Sequence, residues 1–228
     1  MTTVSIMQPA YLPWQGYMDM IDQADLFVLL DTVEVSKQSW QTRNRVVNQA
    51  GKVQWLSVPI DATPGKRLQD VRIVEDGRWR RKHRGTLEAI GLTPEILSVY
   101  DREWWGLTPF TGQLITRICE VLGITTRIVS ASQWPLITRD PIARLRFILG
   151  LTRATEFLTA AGSSSYLNQG DLPVPIRFHQ YEPQPYPQNA PAYTPYMSVV
   201  DCLARHGPER TLETIRAGRV VRPGALLS

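Results

Sequence analysis

Within the first thirty-three residues two apolar runs flank a stretch of helical periodicity, and that arrangement leaves few folds open. The run "VSIM" (4–7) has the length and composition of a short strand. From Trp14, "WQGYMDMIDQA" sets Tyr17, Met20, Ile21 and Ala24 at the spacing of one helix face. "DLFVLLDTV" (25–33) is a nearly continuous apolar run, as in a strand buried on both sides. Strand, loop, helix and strand in so short a span make a βαβ unit, and its two strands must run parallel. The fold class that follows is α/β, with a mainly parallel, doubly wound sheet.

The remaining punctuation extends this reading. "VQWLSVPI" (53–60) and "LQDVRIV" (68–74) read as further strands joined by the turn "DATPGK", followed by strands at 125–132, 155–160 and 174–181. Helices are expected at about 78–91, at 108–122 with Gly123 as the stop, at 140–152 from an Asp-Pro start, and over "MSVVDCLARHG" up to Gly207. A single domain over 1–216, with a helical insertion at 77–122 and a tail at 217–228, suits a chain of 228 residues. Such a chain can bury a core without covalent staples. The Pro-rich segment "EPQPYPQNAPAYTPY" (182–196) is long for a connection in a compact domain, and connections of that kind usually serve function.

Composition narrows the function classes. Cys119 and Cys202 stand far apart with no metal-ligand spacing, as small buried residues of a reducing cytoplasm. No apolar run approaches the roughly 18 residues of a membrane span, and the first residues lack a secretory pattern, so a cytoplasmic location without membrane partners is expected. The net charge of +4 is spread along the chain, and its densest run, "GRWRRKHRGTLEAIG", reads as a solvated helix start with Trp79 against the core. That argues against nucleic acid as a partner. Motifs for dinucleotides, P-loop phosphates, zinc hydrolysis and serine hydrolysis are missing. No metal site and no obligatory cofactor is read, and no feature marks an oligomeric state.

The chemistry is expected where βα loops converge at the carboxyl ends of parallel strands. The first such loop is "QPAYLPWQGY". Pro9 and Pro13 stiffen it, and Gly16 permits close approach of the helix backbone. Tyr11, Trp14 and Tyr17 offer flat faces to bound a pocket, and Gln8 offers a two-way amide to orient a polar atom. After the second strand come Asp31, at the edge of the sheet, and Lys37, Arg43, Asn44 and Arg45, a set suited to an anionic substrate. "GSSSYL" (162–167) follows another strand and can cradle a phosphate or carboxylate, with Ser164 and Tyr166 as the candidates. His179 closes a strand, and imidazole is the side chain suited to proton transfer near neutral pH, which makes this residue a proton acceptor by position alongside Asp31. His83, His206 and Asp201 have sufficient packing, dipole or ion-pair explanations.

The string "PWQGY" resembles the first βα unit of HIGH-motif nucleotidylyltransferases, with Trp14 and Tyr17 where two phosphate-holding histidines would stand. That resemblance implies a HIGH-type nucleotide-binding-like fold with altered chemistry. A second resemblance spans nearly the whole chain. "QPAYLPWQGYMDMIDQADLFVLLDTVEVSKQSWQTRNRV", "GRWRRKHRGTLEAI", "TEFLTAAGSSSYL", "YPQ" and "YMSVVDCLARHG" are similar, in order, to blocks of the WbqC-like family. Membership implies a biosynthetic enzyme of O-antigen or specialised-metabolite (antibiotic-type) assembly that transfers an amino acid onto an amino sugar. The expectation is therefore a small transferase joining an amine to a carboxylate-derived or activated group, with an anionic or amino-acid-derived substrate. Two alternatives stand beside it. One is a diverged nucleotidylyltransferase or ligase using ATP and Mg; the other is a non-catalytic binder of an anionic metabolite.

Overall fold

The computed structural model describes residues 1–36, 38–136 and 138–220. In chain order its strands are β1 (Thr3–Met7), β2 (Leu26–Leu29), β3 (Arg43–Val47), β4 (Val53–Ser57), β5 (Ile60–Asp61), β6 (Arg72–Ile73), β7 (Arg127–Ser130), β8 (Glu156–Ala160) and β9 (Ile176–His179). The helices are α1 (Gln15–Asp22), α2 (Arg78–Ala89), α3 (Pro94–Leu97), α4 (Leu107–Leu122), α5 (Pro141–Leu151) and α6 (Val199–Ala217). β1, β2, β7, β8 and β9 form one sheet in the order β7-β2-β1-β8-β9, and every pairing in it is parallel. All five members coincide with runs read as strands in the sequence.

The sheet is covered on both faces, and period-2 alternation divides its side chains between them. Phe27 and Leu29 of β2 join Tyr17, Ile21, Phe110, Leu114 and Val199, from α1, α4 and α6. Val28 between them turns the other way, with Val4 and Ile6 of β1 and with Ile148 and Leu149 of α5. Helix boundaries follow local chemistry. Asp140 caps α5, its carboxylate accepting from the Ala143 N–H at 2.6 Å ahead of Pro141. α4 stops at Gly123, whose φ of 72° is left-handed. Gly207 (φ 74°) ends the first part of α6 as expected, and Pro208 then opens a second helical stretch to Ala217 that the sequence reading did not anticipate.

Two expected strands are not in the central sheet. Residues 53–57 pair antiparallel with Arg43–Val47, a strand read from sequence only as a connecting segment. Of 68–74, only Arg72–Ile73 is strand, paired with Ile60–Asp61, and Leu68–Asp70 is a 3₁₀ turn. The cause is visible in burial: Val53, Trp55 and Ser57 face solvent while Leu56 is buried. A ribbon with one wet face suits an antiparallel hairpin, not a sheet covered on both sides. These ribbons and α2–α3 are carried on the β2-to-β7 crossover, whose sheet-packing helix is α4. Gly218 to Val220 lie beside residues 180–182, with Glu182 N–H donating to Gly218 C=O and Val220 N–H to Gln180 C=O. Among the described residues no helix is long and apolar enough to cross a membrane.

Candidate functional site

In this strand order the chain winds outward from β1 to β2 and β7, then returns to the other side of β1 as β8 and β9. The reversal lies between β1 and β8, and the carboxyl ends there leave the crevice where open α/β sheets take ligands. Register aligns the edge. Met7 pairs with Leu29 and Leu29 with Ser130, while Ala160 pairs with His179. Ser5 pairs with Leu158, so two residues further Met7 stands beside Ala160. Gln8 and the 3₁₀ turn Ala161–Ser165 are therefore the first residues past the edge on the two sides of the crevice.

Gln8 is exposed. Its Oε1 accepts from Gln41 Nε2 at 2.6 Å, and Gln41 Oε1 in turn accepts from the Ser36 N–H at 2.8 Å. Main-chain bonds hold the same two segments together. Tyr11 N–H donates to Trp40 C=O at 2.9 Å, and Asn44 Nδ2 donates to Leu12 C=O at 2.6 Å. The opening loop and the start of the cationic segment thus lie side by side.

The aromatic groups of the loop do not line an opening as expected. Tyr11 is fully buried, its hydroxyl 2.8 Å from His83 Nδ1 and 2.7 Å from the Tyr100 hydroxyl, and burial raises its pKa well above the usual phenol value. Tyr17 is also buried and donates to Gln8 C=O at 3.0 Å, so it positions the loop from below. Trp14 is half-buried, its ring 5.4 Å from both Tyr181 and Tyr196. Its indole folds back over Gly16, where a Cβ would run into the ring. Gly16 therefore makes room for Trp14, in place of the expected approach to a substrate.

Asp31 stands at the β2 edge with 1% exposure, and both its oxygens are held by one residue past β7: Ser132 N–H at 2.9 Å and Ser132 Oγ at 2.6 Å. Burial raises its pKa from the ordinary carboxylate value, partly offset by the Ser132 bonds. Lys37 lies outside the described residues. On β3, alternation sends Asn44 inward, where its amide is taken up by Leu12 C=O and the Arg45 N–H in place of the expected substrate. Arg43 and Arg45 point outward, their guanidinium carbons 4.7 and 5.5 Å from the centre of the Trp55 ring. Arg45 Nη2 donates to Pro195 C=O at 3.3 Å. Neither arginine forms an ion pair among the described residues.

Across the crevice, Ser164 Oγ is turned onto Ala161 C=O at 2.8 Å, and Tyr166, which is exposed, donates to Ser163 Oγ at 3.1 Å. Ser163, not Ser164, is the hinge of this hydroxyl group, 3.0 Å from Thr159 Oγ1. His179 is buried, with Nε2 2.7 Å from Asp19 Oδ2 and its ring stacked 5.6 Å from Tyr181. Asp19, itself fully buried, also accepts from Gln23 Nε2 at 2.6 Å and Arg219 Nε at 2.5 Å. Three strand spacings, about 14 Å, separate the β2 and β9 ends, so Asp31 and His179 do not serve one reacting atom. Sequence reasoning did not single out Gln41, Ser132 or Trp55. Trp55 carried a signal, an aromatic residue on the polar face of an alternating run, whereas Gln41 and Ser132 carried none.

The family model described as "WbqC-like protein family" matches residues 8–213, which takes in the chain from Gln8 through most of α6. The chain belongs to the WbqC-like family. This WbqC-like protein is also 28% identical, over an alignment 228 positions long, to the uncharacterized protein Rv1507c of Mycobacterium tuberculosis, covering 92% of this chain and 96% of that one. No solved structure matches the chain.

Proposed function

We propose that this WbqC-like protein is a biosynthetic enzyme, a transferase that joins an amine to a carboxylate-derived or otherwise activated group during glycoconjugate or specialised-metabolite assembly. The observation that carries the reading is the exposed Gln8 amide at the β1–β8 reversal, tied to a segment whose two arginines have no carboxylate partner among the described residues. Gln8, fixed by Gln41, orients a polar substrate atom. Arg43 and Arg45 hold an anionic part through their planar forks. The amine nitrogen attacks the activated carbonyl carbon, the leaving group departs with its electron pair, and the amine proton passes to a base. Asp31 supports that last role better than His179. It stands one strand from Gln8 and its affinity for a proton is raised, whereas His179 is committed to Asp19.

Trp14 and Tyr17, at the positions of the phosphate-holding histidines of HIGH-motif enzymes, are engaged with Gly16 and Gln8 C=O, which favours transfer over adenylylation. The test is turnover of an amine with an activated acyl donor, followed by mass spectrometry, with and without Mg-ATP. Gln8→Ala and Arg43→Ala are expected to abolish product while shifting thermal unfolding little. A strict need for Mg-ATP with pyrophosphate release would support the ligase alternative, and ligand binding without chemical change would support the binding-protein one.

A further inference from the structure

The outward face of the β3–β4 hairpin is built unlike a solvated ribbon. Cross-strand register sets Arg45 opposite Trp55 and Arg43 one step diagonal to it, opposite Ser57. Trp40, from the turn before β3, lies against Trp55 with ring centres 5.8 Å apart and planes 29° apart. Both indoles are close to half exposed, at 49% and 44%. Exposing two tryptophans side by side is costly, since each could bury a large apolar area elsewhere. The two guanidiniums next to them form no ion pair among the described residues, and Arg45 Nε is buried with no acceptor among them.

The donor–acceptor chemistry selects a ligand. Stacked indoles present flat faces to a planar ring, and guanidinium forks match phosphate oxygens. A bare sugar also stacks on indole, but it is uncharged and leaves the two guanidinium charges unmatched. A bare phosphate or carboxylate has no use for the indoles. We propose that Trp40, Trp55, Arg43 and Arg45 form a binding platform for a nucleoside phosphate, with the base on the indoles and the phosphate on the guanidiniums. One substrate of the transfer reaction is then delivered on a nucleoside phosphate. As a statement about the substrate this rests on the transfer reading, whereas as a binding site it stands alone. Trp40 C=O accepts from the Tyr11 N–H, so the platform adjoins the loop that begins at Gln8.

Isothermal titration calorimetry of the full chain tests the platform, with ADP and UDP as probes and adenosine, uridine and pyrophosphate as their halves. At least one nucleotide is expected to bind saturably, about tenfold or more tighter than its nucleoside or pyrophosphate. Trp55→Ala, Trp40→Ala and Arg43→Gln are each expected to weaken it by about tenfold or more, with Trp55→Phe retaining most of the affinity. Circular dichroism and melting confirm that each variant is folded. Gln8→Ala is expected to leave nucleotide binding unchanged, so a failed transfer assay and a failed platform are told apart. Silence of both nucleotides at millimolar concentration overturns the proposal. So does pyrophosphate binding as tightly as nucleotide, binding indifferent to both tryptophans, or tight binding of a single-stranded oligonucleotide with mononucleotides silent.

Discussion

The Tyr11 hydroxyl sits between two buried partners contributed by distant segments, His83 Nδ1 at 2.8 Å and the Tyr100 hydroxyl at 2.7 Å. With a neutral imidazole both bonds are kept in either tautomer: Tyr11 donates to His83 and accepts from Tyr100, or accepts from His83 and donates to Tyr100. Burial, helped by Lys82, lowers the His83 pKa from 6.5 to about 4. A depressed folded-state pKa means that the unfolded chain takes the proton first. The contribution is complete above pH 6.5 and is lost as pH falls toward 4, amounting to about 3 kcal/mol. Denaturant melts across that interval are expected to show the loss, and His83→Phe to flatten it. Tyr11→Phe leaves two buried groups short of a partner and should cost about 1–3 kcal/mol at neutral pH.

This trio also marks the boundary of what the sequence made legible. The five strands of the sheet were readable between turn signals, β2 as the continuous apolar run that burial on both faces produces and β9 by its alternation. The edge could then be inferred from topology, and Gln8, Asp31 and the serine turn do lie just past β1, β2 and β8. Tyr11 was not readable as core, because its burial depends on partners 72 and 89 positions away. Asn44 was misjudged for a local reason. Its neighbours Arg43 and Arg45 drew attention to charge, while the alternation that turns Asn44 inward belonged to a strand whose partner lies across "NQAGK".

Asp31 offers a pH test of the transfer reading. Its carboxyl is raised above the ordinary value, so as the base it loses its proton only at a correspondingly higher pH. The acid limb of kcat/KM is therefore expected to lie higher than that of an ordinary aspartate, with activity rising as pH rises through it. Asp31→Asn should remove the limb along with most activity. Ser132→Ala frees one carboxylate oxygen, removes a bond that favours the charged form, and should move the limb further up in pH.

His179 is expected to behave as a structural residue. It joins β9 to α1 through Asp19, and Arg219 holds the other Asp19 oxygen from beyond α6. Arg219 also pairs with Asp22, which Arg216 contacts at 2.8 Å. Removing one partner from a buried carboxylate costs on the order of 3 kcal/mol, whatever the pair contributes net. His179→Gln should therefore lower the melting temperature while per-molecule turnover of the folded fraction is retained. Turnover lost with stability unchanged would instead make His179 the base.

Gly16→Ala isolates the role of Trp14. A methyl group at that position occupies the space of the indole, so the ring must leave its place against Tyr181 and Tyr196. Tyr196 is half exposed and held at φ 58°, a left-handed conformation that a tyrosine adopts only under constraint from its surroundings. It follows Pro195, whose carbonyl accepts from Arg45. Displacing Trp14 thus loosens the end of the Pro-rich loop where it meets the arginine face. The expected cost in stability is about 1–3 kcal/mol, the range for forcing extra volume into a packed site. KM for the anionic substrate should rise more than kcat falls, because the change acts on Arg45 and leaves Gln8 and Asp31 in place. Trp14→Ala in the Gly16→Ala background removes the clash, and recovery of stability without recovery of KM would separate packing from positioning.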